Sequence, residues 1–246
     1  MTINKNKLFS LPSMRSVAVF LLIAWGGFCS QAALAKQTVT IGVYDNPPKV
    51  FVSETGQPAG IFIDLIEWIA TAEGWTLAYQ TGTWSQGLER LEKGQIDLMP
   101  DVAHSTAREK IFSFHQVPVL SSWFQVYARK GSNIHSLLDL NQKTIAVLER
   151  SVQQEAFTSI DKGFGLNTTM IGLPDYKTIF EIVQDGQADA AITNRFYGLV
   201  HAQDFGLENT TIVFHPTELF FAAPRTSSSQ PLLQTIDRHL SLLKKD

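Results

Sequence analysis

Between Thr38 and Met99 the chain alternates five segments of two kinds, and no other stretch restricts the fold as tightly. Thr38 to Tyr44 sets Val39, Ile41 and Val43 at every second position, the period of a half-buried strand. Asp45-Asn46-Pro47-Pro48 ends it, because two prolines cannot donate to a central ladder. After a turn flanked by Gly56 and Gly60, Ile61, Leu65, Ile66, Trp68 and Ile69 recur at helical spacing until Gly74. Trp75 to Tyr79 reads as a second strand. Trp84-Ser85 opens a short helix with Leu88 and Leu91 apolar and Gly94 as its terminator, and Ile96 to Met99 is a third strand that Pro100 ends. Strand, helix, strand, helix, strand is the pattern of a parallel sheet with crossover helices, so the chain is α/β and begins as a small doubly wound sheet.

One unit of this pattern returns later. Leu91-Glu92-Lys93-Gly94-Gln95-Ile96-Asp97 and Val183-Gln184-Asp185-Gly186-Gln187-Ala188-Asp189 both read as helix, glycine cap, Gln-x-Asp, strand. Between the copies, Ser121 to Ala128 has strand composition, Ser136 to Leu140 is a helical turn and Thr144 to Leu148 an apolar strand. Ser151-Val152-Gln153-Gln154 has the form of a capping box that opens a helix toward Lys162. Thr178 to Gln184 is helical, and the strand Ala190 to Thr193 ends at Asn194-Arg195. Phe196 to Asp204 is helical again, Thr211 to Phe214 and Leu219 to Ala223 are strands, and Pro231 to Leu243 is an amphipathic helix.

The stretch from Gly94 to Val119 is where ligand chemistry is expected. If pairing stops at Pro100, the backbone beyond it, Asp101 and Ala103 included, turns toward a cleft. Arg108 follows on a one-turn helix that the Ser105 hydroxyl can cap. A guanidinium fork beside the carboxyl end of a strand lies where open α/β sheets bind ligands, and its natural use is a bidentate clamp on a carboxylate. The competing reading is a surface arginine paired with Glu109. The amides of the helix that Ser151 starts can receive an anionic group, or the serine can simply cap them. Tyr44, Trp84 and Trp123 either join the core or face ligand, and Asn46 reads first as turn chemistry.

Residues 1 to 35 carry Lys5, Lys7 and Arg15, no acid, an apolar run from Val17 to Phe28, and Ala33-Leu34-Ala35. That is the layout of a secretory signal peptide cleaved after Ala35, so a periplasmic location is expected. An uncleaved anchor is the alternative, and the run turns polar and small after Phe28 as a cleavage region should. Cys29, the one cysteine, lies inside this segment; export without disulfides requires a core large enough to stand alone. The whole chain has a formal net charge of −3, and loss of the three leader cations makes the rest more acidic, which argues against nucleic acid as a partner. Six scattered histidines show no metal-ligand spacing, and there is no Gly-x-Ser-x-Gly elbow or phosphate loop, so neither metal nor cofactor is expected.

Three spaced motifs carry a family resemblance: Gly60-Ile61-Phe62-Ile63-Asp64-Leu65; Gly94-Gln95-Ile96-Asp97 with Ser105-Thr106-Ala107-Arg108, Phe112-Ser113-Phe114 and Pro118; and Gly186-Gln187-Ala188-Asp189-Ala190-Ala191. In this order they resemble the signature of family 3 extracellular solute-binding proteins, the two-lobed "Venus flytrap" receptors. Gly82-Thr83-Trp84-Ser85, Met99 to Ala103 and Val119 to Trp123 are similar to the branch found in bacterial membrane sensors.

The resemblance implies a periplasmic binding protein fold, each lobe a small doubly wound sheet with flanking helices, joined by two hinge crossings near Gln125 to Lys130 and His215 to Leu219. After the signal peptide (1–35), lobe 1 would span 36–124, lobe 2 125–216, and 217–246 would return to lobe 1. It implies a monomer that closes over a small carboxylate-bearing ligand, an amino acid or related organic acid, and presents it to an ABC-type permease or a separate sensor. With no output segment after Asp246, a signal is expected to pass through another protein. The implied ligand-binding positions are Tyr44, Trp84, Asp101, Ala103, Ser105, Arg108, Ser151, Val152 and Asn194. The family has an aspartate at the position of Asn194, where it pairs with the ligand's ammonium, and Gly-Thr where this chain has Arg150-Ser151-Val152. These departures make an ordinary α-amino acid a less secure ligand. The alternative is a secreted dehydratase on the same scaffold, which needs a general acid in the cleft; Asp45, Asp101 and Glu149 are available without a catalytic signature.

Overall fold

The computed structural model describes residues 37–245. The expected signal segment lies outside the described residues.

The first half follows the alternation read above. β1 (Thr38–Val43) leads through a two-strand hairpin, β2 (Phe51–Val52) with β3 (Pro58–Ala59), into α1 (Ile61–Glu73) and then β4 (Thr76–Thr81), which pairs parallel to β1. α1 buries Phe62, Ile63, Ile66 and Ile69 and stops at Gly74, whose φ of 71° is the left-handed turn glycine adopts without a Cβ penalty. The inward stripe therefore differs from the expected one: Ile61 and Trp68 are exposed. α2 (Trp84–Glu92) is capped by Thr83, which with Gln86 forms a reciprocal capping box, and it buries Trp84, Leu88 and Leu91.

Leu98 then bridges Ile41 in parallel, but the strand does not end at Pro100. β5 (Met99–Ala103) continues through it, antiparallel to a later strand in which Ala103 faces Leu219, Val102 faces Phe220 and Met99 faces Ala222. Pro100 and Asp101 together stand opposite Phe221, so the proline sits in a β-bulge, where no ladder donor is needed. Asp101 takes a φ of 61° there, and the Phe221 amide, left without a ladder partner, donates to Nε2 of buried His115 at 2.9 Å. The short α3 (Thr106–Glu109) and β6 (Phe112–Phe114) follow.

The second half repeats the scheme. β8 (Thr144–Leu148), after β7 (Leu120–Arg129), pairs parallel with β9 (Thr169–Leu173) on one side and β10 (Ala190–Asn194) on the other. The crossovers are α4 (Val152–Phe164) and α5 (Tyr176–Gln184), and α6 (Arg195–His201) follows β10. The echoed motif has the same task in both halves. Asp97 receives the Thr40 amide on its carboxylate at 2.7 Å and donates its own amide to the Thr40 carbonyl at 2.8 Å. Asp189 makes the same two bonds with Thr144, both at 2.8 Å. Each aspartate thus pins the start of the neighbouring parallel strand, and the repeat is structural.

β11 (Leu207–Pro224) corrects the sequence reading: the two expected strands, Thr211 to Phe214 and Leu219 to Ala223, are one. It pairs antiparallel with β7 from Leu207 against Arg129 to Leu219 against Leu120, with register shifts between Asn209 and Val213 and between Phe214 and Thr217. Pro216 falls in the second shift, next to His215 at a φ of 52°, so the strand passes it without a ladder bond. The strand order β5-β11-β7-β10-β8-β9 gives a two-lobed α/β architecture in which the crossings form one ribbon. α7 (Gln230–Leu243) packs Leu232, Leu233, Ile236 and Leu240 inward, while Leu243 is exposed.

Candidate functional site

The bulge in β5 aims the site. A non-glycine residue at positive φ costs free energy, and at Asp101 that conformation turns the carboxylate inward among elements from both halves of the chain. Asp101 Oδ1 accepts from Lys49 Nζ at 2.6 Å, and Oδ2 accepts from the Tyr44 hydroxyl at 2.5 Å and from Asn46 Nδ2 at 2.6 Å. Asn46 in turn accepts from Asn194 Nδ2 at 3.0 Å, and Asn194 Oδ1 caps α6 by accepting the Phe196 and Tyr197 amides. All five of these side chains are buried. Burial, reinforced by the charge of Asp101, raises the Tyr44 phenol well above its ordinary range; burial also lowers the Lys49 ammonium, opposed by Asp101.

A second cluster surrounds Arg108, which is only 5% exposed. Ser105 caps α3 by accepting the Arg108 amide at 3.2 Å. The fork donates to two carbonyls, Ala103 at 3.2 Å and Arg150 at 3.1 Å, and lies 5.3 Å from the Trp84 ring centroid. Glu109 is not its partner; it contacts His104 at 2.7 Å. Burial lowers the guanidinium to about 10, so it remains charged at neutral pH. The Arg150 carbonyl also accepts from Trp84 Nε1 at 3.3 Å. The Arg150 side chain reaches back to Glu92 at 2.8 Å, from a backbone φ of 54°. Ser151 accepts the Gln154 amide at 3.2 Å, yet the Gln154 side chain serves the Arg150 amide, so the capping box is only half formed on Ser151.

Tyr44, Trp84, Asp101, Ala103, Arg108, Ser151, Val152 and Asn194 thus line one cleft, together with Lys49, Phe124 and Tyr176. Ser105 stands outside the lining. Trp123 lies in a separate outer groove with the Arg195 guanidinium 4.1 Å from its ring centroid. Asp45 is exposed by area but partly desolvated by the chain around it, and that desolvation, with the nearby Asp175 charge, raises its carboxyl. Asn46, expected as turn chemistry, bonds the cleft carboxylate, and Lys49 joins it there although no sequence motif singles it out. Its one signal is a lysine held between Pro48 and apolar Val50. A wider depression around Phe114 and Phe220 has its charges, Glu109, Lys110, Glu218 and Arg225, at the surface.

The cleft encloses about 30 Å³, room for about two waters, so an organic ligand enters only if the walls part. Its buried charges are Lys49, Arg108 and Asp101, an excess of one positive. Such a site can hold an anion between aromatic walls. It offers no free carboxylic acid for proton transfer, because both oxygens of Asp101 are engaged.

The profile of the bacterial extracellular solute-binding proteins, family 3, matches residues 39–246. Similar curated proteins include the arginine-binding extracellular protein ArtP of Bacillus subtilis (strain 168), 24% identical over 69% of this chain and 65% of ArtP. The membrane-bound lytic murein transglycosylase F of Actinobacillus succinogenes is 25% identical over 67% of this chain and 35% of that protein. The match therefore spans less than two thirds of either relative. Among solved structures, a histidine kinase sensor domain with similarity to periplasmic binding proteins superposes with a TM-score of 0.75 at 21% identity, covering 85% of this chain and 91% of that one.

Proposed function

The chain belongs to the bacterial extracellular solute-binding proteins, family 3, and from that membership we propose a periplasmic receptor that closes over a small carboxylate-bearing ligand. The observation that carries the reading is Arg108. Its guanidinium is buried, and its acceptors are the carbonyls of Ala103 and Arg150, with no protein carboxylate among them. A buried cation with no carboxylate bonded to its fork is costly, and a ligand carboxylate supplies one. Lobe 1 (36–124), lobe 2 (125–216) and the return (217–246) move as units, after export and cleavage at Ala35. The loaded receptor, a monomer, serves an ABC-type permease or a separate sensor; similarity to the histidine kinase sensor domain lends support to the second. Catalysis is not part of the reading, because Asp101 is ion-paired and Asp45 and Glu149 lie outside the cleft lining.

Native mass spectrometry of protein purified from the periplasm tests this. The expected result is a co-purifying small acid that Arg108→Ala loses. Wild type that carries and accepts no carboxylic acid would remove the reading.

A further inference from the structure

A receptor that takes an amino acid must give its ammonium a counter-charge, and the cleft holds one acidic side chain. Among the described residues Asp101 is the sole buried carboxylate, and the protein's own ammonium, Lys49, already neutralises it at 2.6 Å with both side chains at most 2% exposed. Its other oxygen is taken by Tyr44 and Asn46. The residue across the cleft is neutral Asn194, whose Oδ1 is occupied by two amides of α6 and whose Nδ2 faces Asn46. A ligand ammonium brought here would meet Lys49 and Arg108 with no anion left over, and an unpaired buried charge is strongly disfavoured. The walls are Tyr44, Trp84, Phe124 and Tyr176, suited to an apolar or planar body.

From this arrangement we infer that the ligand is a small monocarboxylate without an α-ammonium group, its carboxylate on Arg108 and its body between the aromatic walls. Lys49 occupies, from within the chain, the electrostatic place that an amino acid's own ammonium would fill. The inference rests on the carboxylate-receptor reading above and narrows it to one ligand class.

Calorimetry and thermal shift on matched pairs test it: hydrocinnamate beside phenylalanine, isocaproate beside leucine, guanidinovalerate beside arginine. A ligand bound only by the folded protein raises its melting temperature. The deaminated member of at least one pair is expected to bind about tenfold or more tightly than its amino acid, the size of one charge-assisted contact. Asn194→Asp keeps the α6 cap, since aspartate caps as well as asparagine, and adds a carboxylate, so it should swing the preference toward the amino acid. Lys49→Met, which frees Asp101, should do the same if it folds. Amino acids leading in the wild type, or pair rankings that Asn194→Asp leaves unchanged, would overturn the inference while leaving the receptor reading intact. No response to either series, with folded wild type, would count against both.

Discussion

Lys49 Nζ stands 2.6 Å from Asp101 Oδ1 although 52 residues separate them, and neither side chain touches solvent appreciably. Breaking such a pair from one side leaves a bare buried charge, whereas replacing both ends removes the desolvation cost as well. Lys49→Met alone should therefore destabilise by about 3 to 5 kcal/mol, and Lys49→Met with Asp101→Asn should recover most of the loss. Asparagine suits the second site because it tolerates positive φ. Urea unfolding of Lys49→Met, Asp101→Asn and the double variant measures the coupling; strictly additive losses would show that the two residues do not depend on each other.

Arg108 is expected to act through the shape of its fork and not through charge alone. Arg108→Lys should weaken ligand binding nearly as much as Arg108→Ala, by about 1.5 to 3 kcal/mol for each charge-assisted bond lost. Affinity retained by the lysine variant would mean that a point charge suffices.

Arg150 links the halves of the cleft through Glu92 and through the carbonyl shared by Arg108 and Trp84. The Glu92 pair is half-exposed, so its loss is worth at most about 1 kcal/mol, up to roughly fivefold in the ratio of closed to open forms. Small-angle scattering of Glu92→Gln without ligand should show a larger mean radius of gyration than the wild type, and saturating ligand should bring the two together. Equal radii throughout would rule out a role for the pair in closure.

His115 sets a pH dependence. Burial lowers its pKa from 6.5 to about 4, and its Nε2 must stay unprotonated to accept the Phe221 amide. Between these values the unfolded chain binds a proton that the folded chain refuses. Stability is full above pH 6.5 and falls as the pH drops toward 4, by about 3 kcal/mol in all. Denaturation midpoints from pH 4 to 7 check this, and His115→Gln should flatten that part of the curve.

Two helical glycines should respond in opposite directions. Gly163, near the end of α4, has nothing within 4 Å of a Cβ, so Gly163→Ala should stabilise by about 0.5 to 1 kcal/mol. At Gly198 a Cβ would lie 2.0 Å from the Tyr127 ring, so Gly198→Ala should cost about 1 to 3 kcal/mol. Thermal melts of the two variants suffice.

The alternation of strands and helices, the Ser105 cap and the echo of Gly94 and Gly186 were legible because each is a local signal of a few residues. What escaped was non-local. Pro100 reads as a strand end, since a proline cannot donate to a ladder, and the segments on either side of Pro216 read as two strands, but each proline sits in a register shift created by the partner strand, where no donation is asked of it. Lys49 lies in a turn after two prolines, the usual setting of a solvated charge, and only the bulge at Asp101 gives it a buried partner. Trp68 matched the helical period and still faces outward, because Phe62 and Ile63 set the stripe one step away.

The pairing of β7 with β11 has a mechanical consequence. Two separate linkers could each stretch, slide or twist on their own, and the bodies they join would wander in several directions. Strands hydrogen-bonded to each other from Leu120 against Leu219 to Arg129 against Leu207 cannot lengthen independently, so the permitted motion reduces to bending and twisting of one ribbon at its two irregular points. If the chain works as the proposed receptor, a protein docked across both bodies would read occupancy as a single angle, whichever ligand had set it.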